Sequence, residues 1–311
     1  MYLNEFAQSL APHDMSKSPE FESLLQSASD LGVPHAAAVR YVSRHTVVRS
    51  LRFHFSEWGE PGLPEVLLLH GGNQSSHSWD LVSLSLADRF HVYALDQRGH
   101  GDSEWARDQD YSIDTRALDA LAFVEDQGLS SPTIMGHSMG GLVTTTAALK
   151  QPDLARSLVI VDVGPELSEK GTKVIHNFVT QNVEFDDLEE FLDNVVKYDR
   201  FRSREHIART VKYNMLRRAD GKYVSKVDHR ELGSVTGVGR LSLDDVKVIP
   251  CPTLVVRGGD SDVFEPDAAQ RFTDALPKGE LVTVPNCGHN VHSGNTLGFL
   301  EVVGPFLAAT S

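Results

Sequence analysis

From about residue 51 onward, short apolar runs alternate with longer stretches of helical periodicity. Apolar runs bounded by Gly, Pro, Asn or Asp read as buried strands, and they fall at 51–55, 65–70, 91–96, 132–136, 157–163, 252–257 and 280–284. Apolar positions recur at helical spacing over 78–87, 113–126, 139–150, 266–275 and 296–308. Strand and helix in regular alternation imply a mainly parallel sheet with helices on both faces, an α/β fold. The rhythm breaks between about 164 and 246. That stretch has helical patterns at 170–179, 187–197 and 204–216, and a hairpin turn at Asp220-Gly221, but no buried-strand run. It reads as a mostly helical cap inserted between two core strands. Ahead of the alternation, Phe21, Leu24, Leu25, Ala28 and Leu31 mark one amphipathic helix in a polar arm. The expected organisation is an N-terminal helical arm over 1–46, a core made of 47–164 and 246–311, and a cap over 165–245.

Composition narrows the class. The 311 residues are 41% hydrophobic and 23% charged, ordinary for a globular chain with a sizeable core. A formal net charge of -14 argues against nucleic acid as a partner. No apolar stretch approaches the roughly 18 residues needed to cross a membrane, and the start lacks a signal-peptide pattern. Cys251 and Cys287 are the only cysteines and fall near opposite ends of neighbouring predicted strands, too far apart to pair. Such usage suits a reducing compartment, so a cytoplasmic protein is expected.

The chemistry gathers at predicted strand ends, where an open parallel sheet places its reactive groups. Gly136-His137-Ser138-Met139-Gly140-Gly141 sits at a strand-to-helix junction. A serine between glycines at such a turn projects its Oγ clear of the sheet, and glycine two residues to either side avoids a backbone collision. The Met139 amide, at the helix start, points at any oxyanion above Ser138. His70-Gly71-Gly72-Asn73 follows the second core strand, and the Gly72 amide is the expected second oxyanion donor. Asn73 and His137, beside these donors, are candidate substrate contacts. Asp96-Gln97-Arg98-Gly99-His100-Gly101-Asp102-Ser103 reads as a structural loop tied by charge-assisted hydrogen bonds.

An acid and a base follow downstream. Arg257-Gly258-Gly259-Asp260-Ser261-Asp262 ends the penultimate strand, and a carboxylate there could orient an imidazole. Asp260 and Asp262 both qualify. Asp262, in the last part of the loop before Pro266, is favoured, and Asp162, at the end of another strand, is a remoter candidate. In Asn286-Cys287-Gly288-His289-Asn290, His289 is the expected base, with His292 as runner-up. Cys287 lacks a basic neighbour to lower its pKa and reads as a small apolar residue. The order Ser138, Asp262, His289 is that of a Ser–acid–His triad.

With these pieces in place, residues 50–311 resemble the α/β-hydrolase superfamily, in an esterase- or lactonase-like branch with a cap. The resemblance rests on HGGN (70–73), DQRGHGDS (96–103), GHSMGG (136–141), RGGDSD (257–262) and CGH (287–289). It implies that Ser138 attacks a carbonyl, His289 shuttles the proton, Asp262 holds the imidazole, and the Gly72 and Met139 amides form the oxyanion hole. The segment around Asn214 and Asp220-Gly221 resembles a cap hairpin of esterase-like members. Epoxide hydrolases and haloalkane dehalogenases carry aspartate where this chain has Ser138. Meta-cleavage C–C hydrolases usually place asparagine before the serine and tryptophan after the histidine, where this chain has His137 and Asn290. The expected activity is hydrolysis of a carboxylic ester or lactone through an acyl-enzyme. The alternatives are C–C hydrolysis of a vinylogous diketone and a non-catalytic receptor on the same fold.

Residues 197–231 carry 11 Lys/Arg against 5 Asp/Glu, a local balance of +6 in an acidic chain. That favours an anionic small-molecule ester, such as the monoester of a dicarboxylic acid, against the plainer reading of solvated helix faces. No metal or organic cofactor is expected, because neither a ligand cluster with metal spacing nor a phosphate-cradling loop is present. The amphipathic arm is a candidate surface for self-association.

Overall fold

The computed structural model describes residues 11–181, 183–230 and 241–311. Residues 1–10 of the expected arm and 231–240 of the expected cap therefore lie outside the described residues.

The elements in chain order are β1 (His13–Asp14), α1 (Pro19–Leu31), β2 (Tyr41–Val48), β3 (Leu51–Trp58), β4 (Glu65–Leu69), α2 (Asp80–Leu86), β5 (His91–Leu95) and α3 (Ile113–Asp126). Then come β6 (Thr133–His137), α4 (Met139–Lys150), β7 (Ser157–Val161), α5 (Glu169–Gln181), β8 (Glu184–Phe185), α6 (Leu188–Tyr198), α7 (Arg204–Val211), β9 (Met215–Arg217) and β10 (Tyr223–Ser225). The last are β11 (Thr253–Gly258), α8 (Pro266–Ala275), β12 (Gly279–Val284), α9 (Val291–Gly294) and α10 (Thr296–Thr310).

Nine of these strands form one sheet in the order β1-β2-β3-β5-β4-β6-β7-β11-β12. Pairing is parallel from β5 through β12 and antiparallel at the β1–β2–β3 edge and between β3 and β5. The parallel strands β4, β5, β6, β7 and β11 are buried almost throughout, which is why they read as unbroken apolar runs. One face is filled by Ala117, Phe123, Val143, Ala147, Ala269 and Phe272 of α3, α4 and α8. The other is filled by Phe21, Leu24, Ala28, Leu84, Phe299 and Val303 of α1, α2 and α10. The fold is thus the α/β-hydrolase architecture read from the motifs.

The N-terminal segment differs from the expected arm. The boundary at residue 46 falls inside β2, which pairs with β3 along its whole length from Tyr41↔Trp58 to Val48↔Leu51. Tyr41 stacks on Trp58 with ring centroids 3.6 Å apart, so the segment is built into the sheet edge. The apolar face of α1 is covered within the same chain, by that edge and α2. Alternation in β2 is weak, because Ser43, Arg44, His45 and Thr46 interrupt its apolar residues.

Between β7 and β11 lies the cap. Its helices α5, α6 and α7 accompany the small antiparallel sheet β8-β10-β9. Phe185, Phe191, Leu192, Val195, Ile207, Val211 and Met215 give it a separate apolar cluster. Gly221, at φ 91°, makes the β9–β10 hairpin turn where Asp220-Gly221 foretold it. Among the described residues, no helix is long and apolar enough to cross a membrane.

Candidate active site

Ser138 stands between β6 and α4 at φ 51°, a left-handed conformation held by its N–H donating to the Val161 carbonyl (3.0 Å). The flanking glycines are required by close packing. A Cβ on Gly136 would lie 2.2 Å from the Gly140 carbonyl oxygen, and one on Gly140 would lie 2.2 Å from the Leu69 carbonyl oxygen. The turn is therefore wedged between β4 and the first turn of α4, and Oγ is presented at the strand ends.

Ser138 Oγ and His289 Nε2 are 2.9 Å apart. The other ring nitrogen, Nδ1, lies 2.8 Å from Asp162 Oδ2. The carboxylate facing His289 thus comes from Asp162, one residue past β7, and the expectation for Asp262 is corrected. Register explains the choice. Val161 pairs with His137 on one side and Val256 on the other, so Asp162 emerges between Ser138 and the end of β11. Asp162 is fully buried at φ 52°. Its Oδ1 accepts the Gly258 N–H (2.9 Å), and its Oδ2 also accepts the Ser261 hydroxyl. The 257–262 loop therefore supplies donors to the acid instead of the acid itself. Asp260 and Asp262 are exposed and line a second cavity that His289 also borders.

His292, the runner-up base, stacks on Trp79 at 3.9 Å between ring centroids. Burial, then the nearby Arg202 and His289, hold it well below the usual imidazole pKa. Cys287 is fully buried, and burial raises its thiol pKa to about 11.

The amides expected to receive an oxyanion flank the serine. Gly72 and Met139 both line the cavity that holds Ser138. Met139 opens α4, where the first amides of a helix lack intrahelical acceptors. The neighbouring Gly71 N–H is engaged by Gln74 Oε1 (3.0 Å). Two neutral imidazoles brace this loop. His70 Nδ1–H donates to the Gly71 carbonyl (2.8 Å), while Nε2 accepts the Gln97 N–H (3.0 Å). His100 repeats the pattern, with Nε2 accepting the Asn73 N–H (3.1 Å) and Nδ1–H donating to the Arg98 carbonyl (3.2 Å). Burial above all depresses both, each to about 3, so these tautomers persist at neutral pH.

Asn73 and His137 both line the cavity. Asn73 Oδ1 accepts the Ser225 hydroxyl from the cap at 3.4 Å. His137 is buried, and its Nε2 lies 2.9 Å from the His289 carbonyl while its Nδ1 lies 3.3 Å from Gln74 Oε1, so the ring bridges the two loops. Burial, with His292 and His289 nearby, keeps His137 well below its ordinary pKa and therefore neutral. Asp96 accepts from Ser76 N (2.6 Å), Asp102 N (2.9 Å) and His54 Nδ1 (2.7 Å), a scaffolding part as its loop suggested. Among the described residues, His54, Asp96 and Asp102 are the one group with three potential metal-ligating atoms within 4.8 Å of one another. His54 and Asp96 already bond each other, and Asp102 pairs with Lys226 of the cap (2.6 Å).

The cavity above Ser138 measures about 280 Å³. Met139, Leu142, Val163, Ile175, Phe178, Phe191, Val195, Ile207 and Val211 make its wall largely apolar, with cap and core contributing together. Of the eleven basic residues between 197 and 231, only Arg202 lines it. Arg204, Arg209, Arg218, Lys222, Lys226 and Arg230 pair with carboxylates elsewhere. Most of the cap's positive charge is thus neutralised locally.

The fold agrees with comparison to known proteins. The model of the alpha/beta hydrolase family matches residues 66–297, and the chain belongs to that family. It is 28% identical over 302 residues to Esterase Rv0045c of Mycobacterium tuberculosis, covering 94% of this chain and 97% of that one. It is 27% identical over 270 residues to the sn-1-specific diacylglycerol lipase ABHD11 of Mus musculus, covering 80% and 83% respectively. The solved structure of E-2-(acetamidomethylene)succinate hydrolase shares the fold with a TM-score of 0.80 at 23% identity, covering 86% of this chain and 99% of that one.

Proposed function

We propose that this protein hydrolyses carboxylic esters through an acyl-enzyme formed on Ser138. The carrying observation is the continuous line Ser138 Oγ, His289, Asp162, with contacts of 2.9 and 2.8 Å, at the floor of a cavity large enough for a small ester. Nδ1–H faces the Asp162 carboxylate, so Nε2 presents its lone pair to the serine hydroxyl. As Oγ attacks the ester carbonyl, Nε2 takes its proton. The Gly72 and Met139 amides receive the carbonyl oxygen as it becomes an oxyanion, a stabilisation worth about 10²–10³ in rate per donor. His289 then protonates the departing alcohol, and water deacylates the enzyme by the reverse route. Asp162 stabilises the imidazolium formed in between.

The apolar wall fits a hydrocarbon acyl or alcohol portion. Arg202, whose Nε is already paired with Asp199 Oδ2 (2.8 Å), supports a second, narrower reading in which its remaining guanidinium N–H groups receive a carboxylate on the substrate. Similarity to Esterase Rv0045c supports ester chemistry.

Hydrolysis of neutral p-nitrophenyl esters and of the p-nitrophenyl monoester of succinate tests both readings. Ser138→Ala is expected to lower kcat by at least about 10³-fold on every substrate turned over. Substantial residual hydrolysis would overturn the acyl-enzyme mechanism, and turnover of a vinylogous diketone with none of the esters would overturn the assignment of ester hydrolysis. Arg202→Gln is expected to lower kcat/KM for the monoester about tenfold more than for the neutral esters. Equal losses on both would remove the anionic reading.

A further inference from the structure

Three separate segments meet beside the triad through side-chain amides. The loop after β4 carries Gly71 and Gln74, the loop after β12 carries His289 and Asn290, and the cap link between α6 and α7 carries Asp199 and Arg202. Gly71 N–H donates to Gln74 Oε1 (3.0 Å), and Gln74 Nε2 donates to Asn290 Oδ1 (3.0 Å). Asn290 Nδ2 then donates to Asp199 Oδ2 (3.0 Å), which also accepts from Arg202 Nε (2.8 Å).

The direction of this chain is fixed from both ends. A backbone amide can only donate, so Gln74 must turn its oxygen to Gly71 and its NH₂ to Asn290. A carboxylate can only accept, so Asn290 must turn its NH₂ to Asp199. Reversing Gln74 would set two donors face to face at Gly71, and reversing Asn290 would set two acceptors face to face at Asp199; the Gln74 oxygen so fixed also meets His137 Nδ1 at 3.3 Å. The Asp199 side chain is 4% exposed and that of Arg202 12%, so water competes weakly for the Asp199 bonds, while Gln74 and Asn290 are half-buried on the cavity wall.

We propose, building on the acyl-enzyme reading, that Gln74, Asn290 and Asp199 form a positioning relay that makes catalysis depend on a seated cap. Its far end holds the loop whose next residue, Gly72, supplies an oxyanion amide. Its middle holds the residue that follows the catalytic imidazole. Its near end belongs to the cap. When Asp199 docks, the oxyanion loop and the imidazole loop are drawn into one register above Ser138. When the cap segment lifts, both loops lose their shared anchor. An enzyme of this design turns over slowly while the cap is open and gains its full rate only when a substrate fills the cavity and the cap closes. None of the three residues supplies or removes a proton. They act through Gly72 and His289, whose placement to within about 1 Å can be worth about 10²-fold in rate.

The test is steady-state kinetics on a neutral p-nitrophenyl ester for Gln74→Ala, Asn290→Ala, Asp199→Ala, Asp199→Asn and the Gln74→Ala/Asn290→Ala double variant, each checked by thermal unfolding. Each alanine variant is expected to lose roughly 10- to 100-fold in kcat with KM changed less than about threefold. The double variant is expected to be no slower than the slower single, because breaking one link already breaks the relay. Asp199→Asn keeps an acceptor for Asn290 and is expected to recover most of the lost kcat. It also serves where Asp199→Ala, which strands Arg202, fails to fold. Wild-type kcat in Asn290→Ala, additive losses in the double variant, or a change in KM alone would overturn the relay. Ser138→Ala in the same series separates the two claims. An active Ser138→Ala refutes the acyl-enzyme, whereas an inactive Ser138→Ala beside a fully active Asn290→Ala refutes only the relay.

Discussion

Glu57 in β3 is 2% exposed and has three cationic or protonatable partners. Arg40 Nη1 and Arg44 Nη1 donate to its two oxygens at 2.9 and 2.8 Å, and His91 Nε2 lies 2.8 Å from Oε1. Burial alone would raise the carboxyl pKa, but the hydrogen bonds from His91, Arg40 and Arg44 outweigh it and hold the group far below the usual carboxylate range. A carboxyl with a depressed folded-state pKa stabilises the fold above its unfolded value, about 4.3 for Glu, and that contribution is lost as the pH falls below it. Glu57→Gln is therefore expected to cost on the order of 2 kcal/mol at pH 7, and the gap from the wild type should begin to close below about pH 4. Urea unfolding from pH 7 to pH 3 measures this. A gap that stays constant or widens on acidification would contradict it. The same scale explains why Asp162 was hard to single out. Read along the chain it is one aspartate ending an apolar run, whereas Asp262 sits in a loop rich in Gly and Asp. What sets Asp162 apart is which strands flank β7, and that is settled by pairing between distant segments.

At the scale of elements, the parallel strands and core helices were legible because each is buried on a face that periodicity reports. Helices α3, α4 and α8 begin and end where the pattern placed them. The antiparallel edge was not. β2 mixes Arg, His, Ser and Thr among its apolar residues, because one side of that edge faces partly to solvent. β8 is two residues long and exists only because β10 pairs with it. The cap helices were recognisable, but their docking was not. Arg209 of α7 and Asp80 at the start of α2 meet at 3.2 Å with side chains 4% and 3% exposed, and His77 Nδ1 shares the same carboxylate oxygen at 3.1 Å. His77 also stacks on Tyr213 of the cap at 3.6 Å. Removing one partner of a buried ion pair strands the other, at a typical cost of about 3–5 kcal/mol. Arg209→Met is expected to destabilise the protein by about that much, and Asp80→Asn added to it should cost less than the sum of the two single changes. Denaturant unfolding of the three variants decides the matter. Strict additivity would mean that the pair does not couple cap to core.

For the molecule as a whole, the site is an outcome of strand order. β6, β7 and β11 lie side by side, so residues from their carboxyl ends converge, and the loop after β12 arrives from the sheet edge to bring His289 over Ser138. The serine turn, the histidine loop and the glycine loop after β4 were each visible as motifs, because turns that need glycine or a left-handed residue leave a local trace. The pairing of Asp162 with His289, the hydrogen bond from Gln74 to Asn290 and the docking of Arg209 and Lys226 on core carboxylates leave no such trace, since each joins segments more than a hundred residues apart in the chain. The acid is also where the two readings of the chain diverge most sharply, and one comparison addresses it directly. Labelling by a fluorophosphonate probe, with the adduct located by peptide mass spectrometry, should place it on Ser138 in the wild type. The labelling rate in Asp162→Asn should fall by a factor on the order of 10³–10⁴, while Asp262→Asn should label within about twofold of the wild type. An adduct on another residue, or a loss in Asp262→Asn as large as that in Asp162→Asn, would contradict the assignment of Ser138, His289 and Asp162 as the catalytic unit.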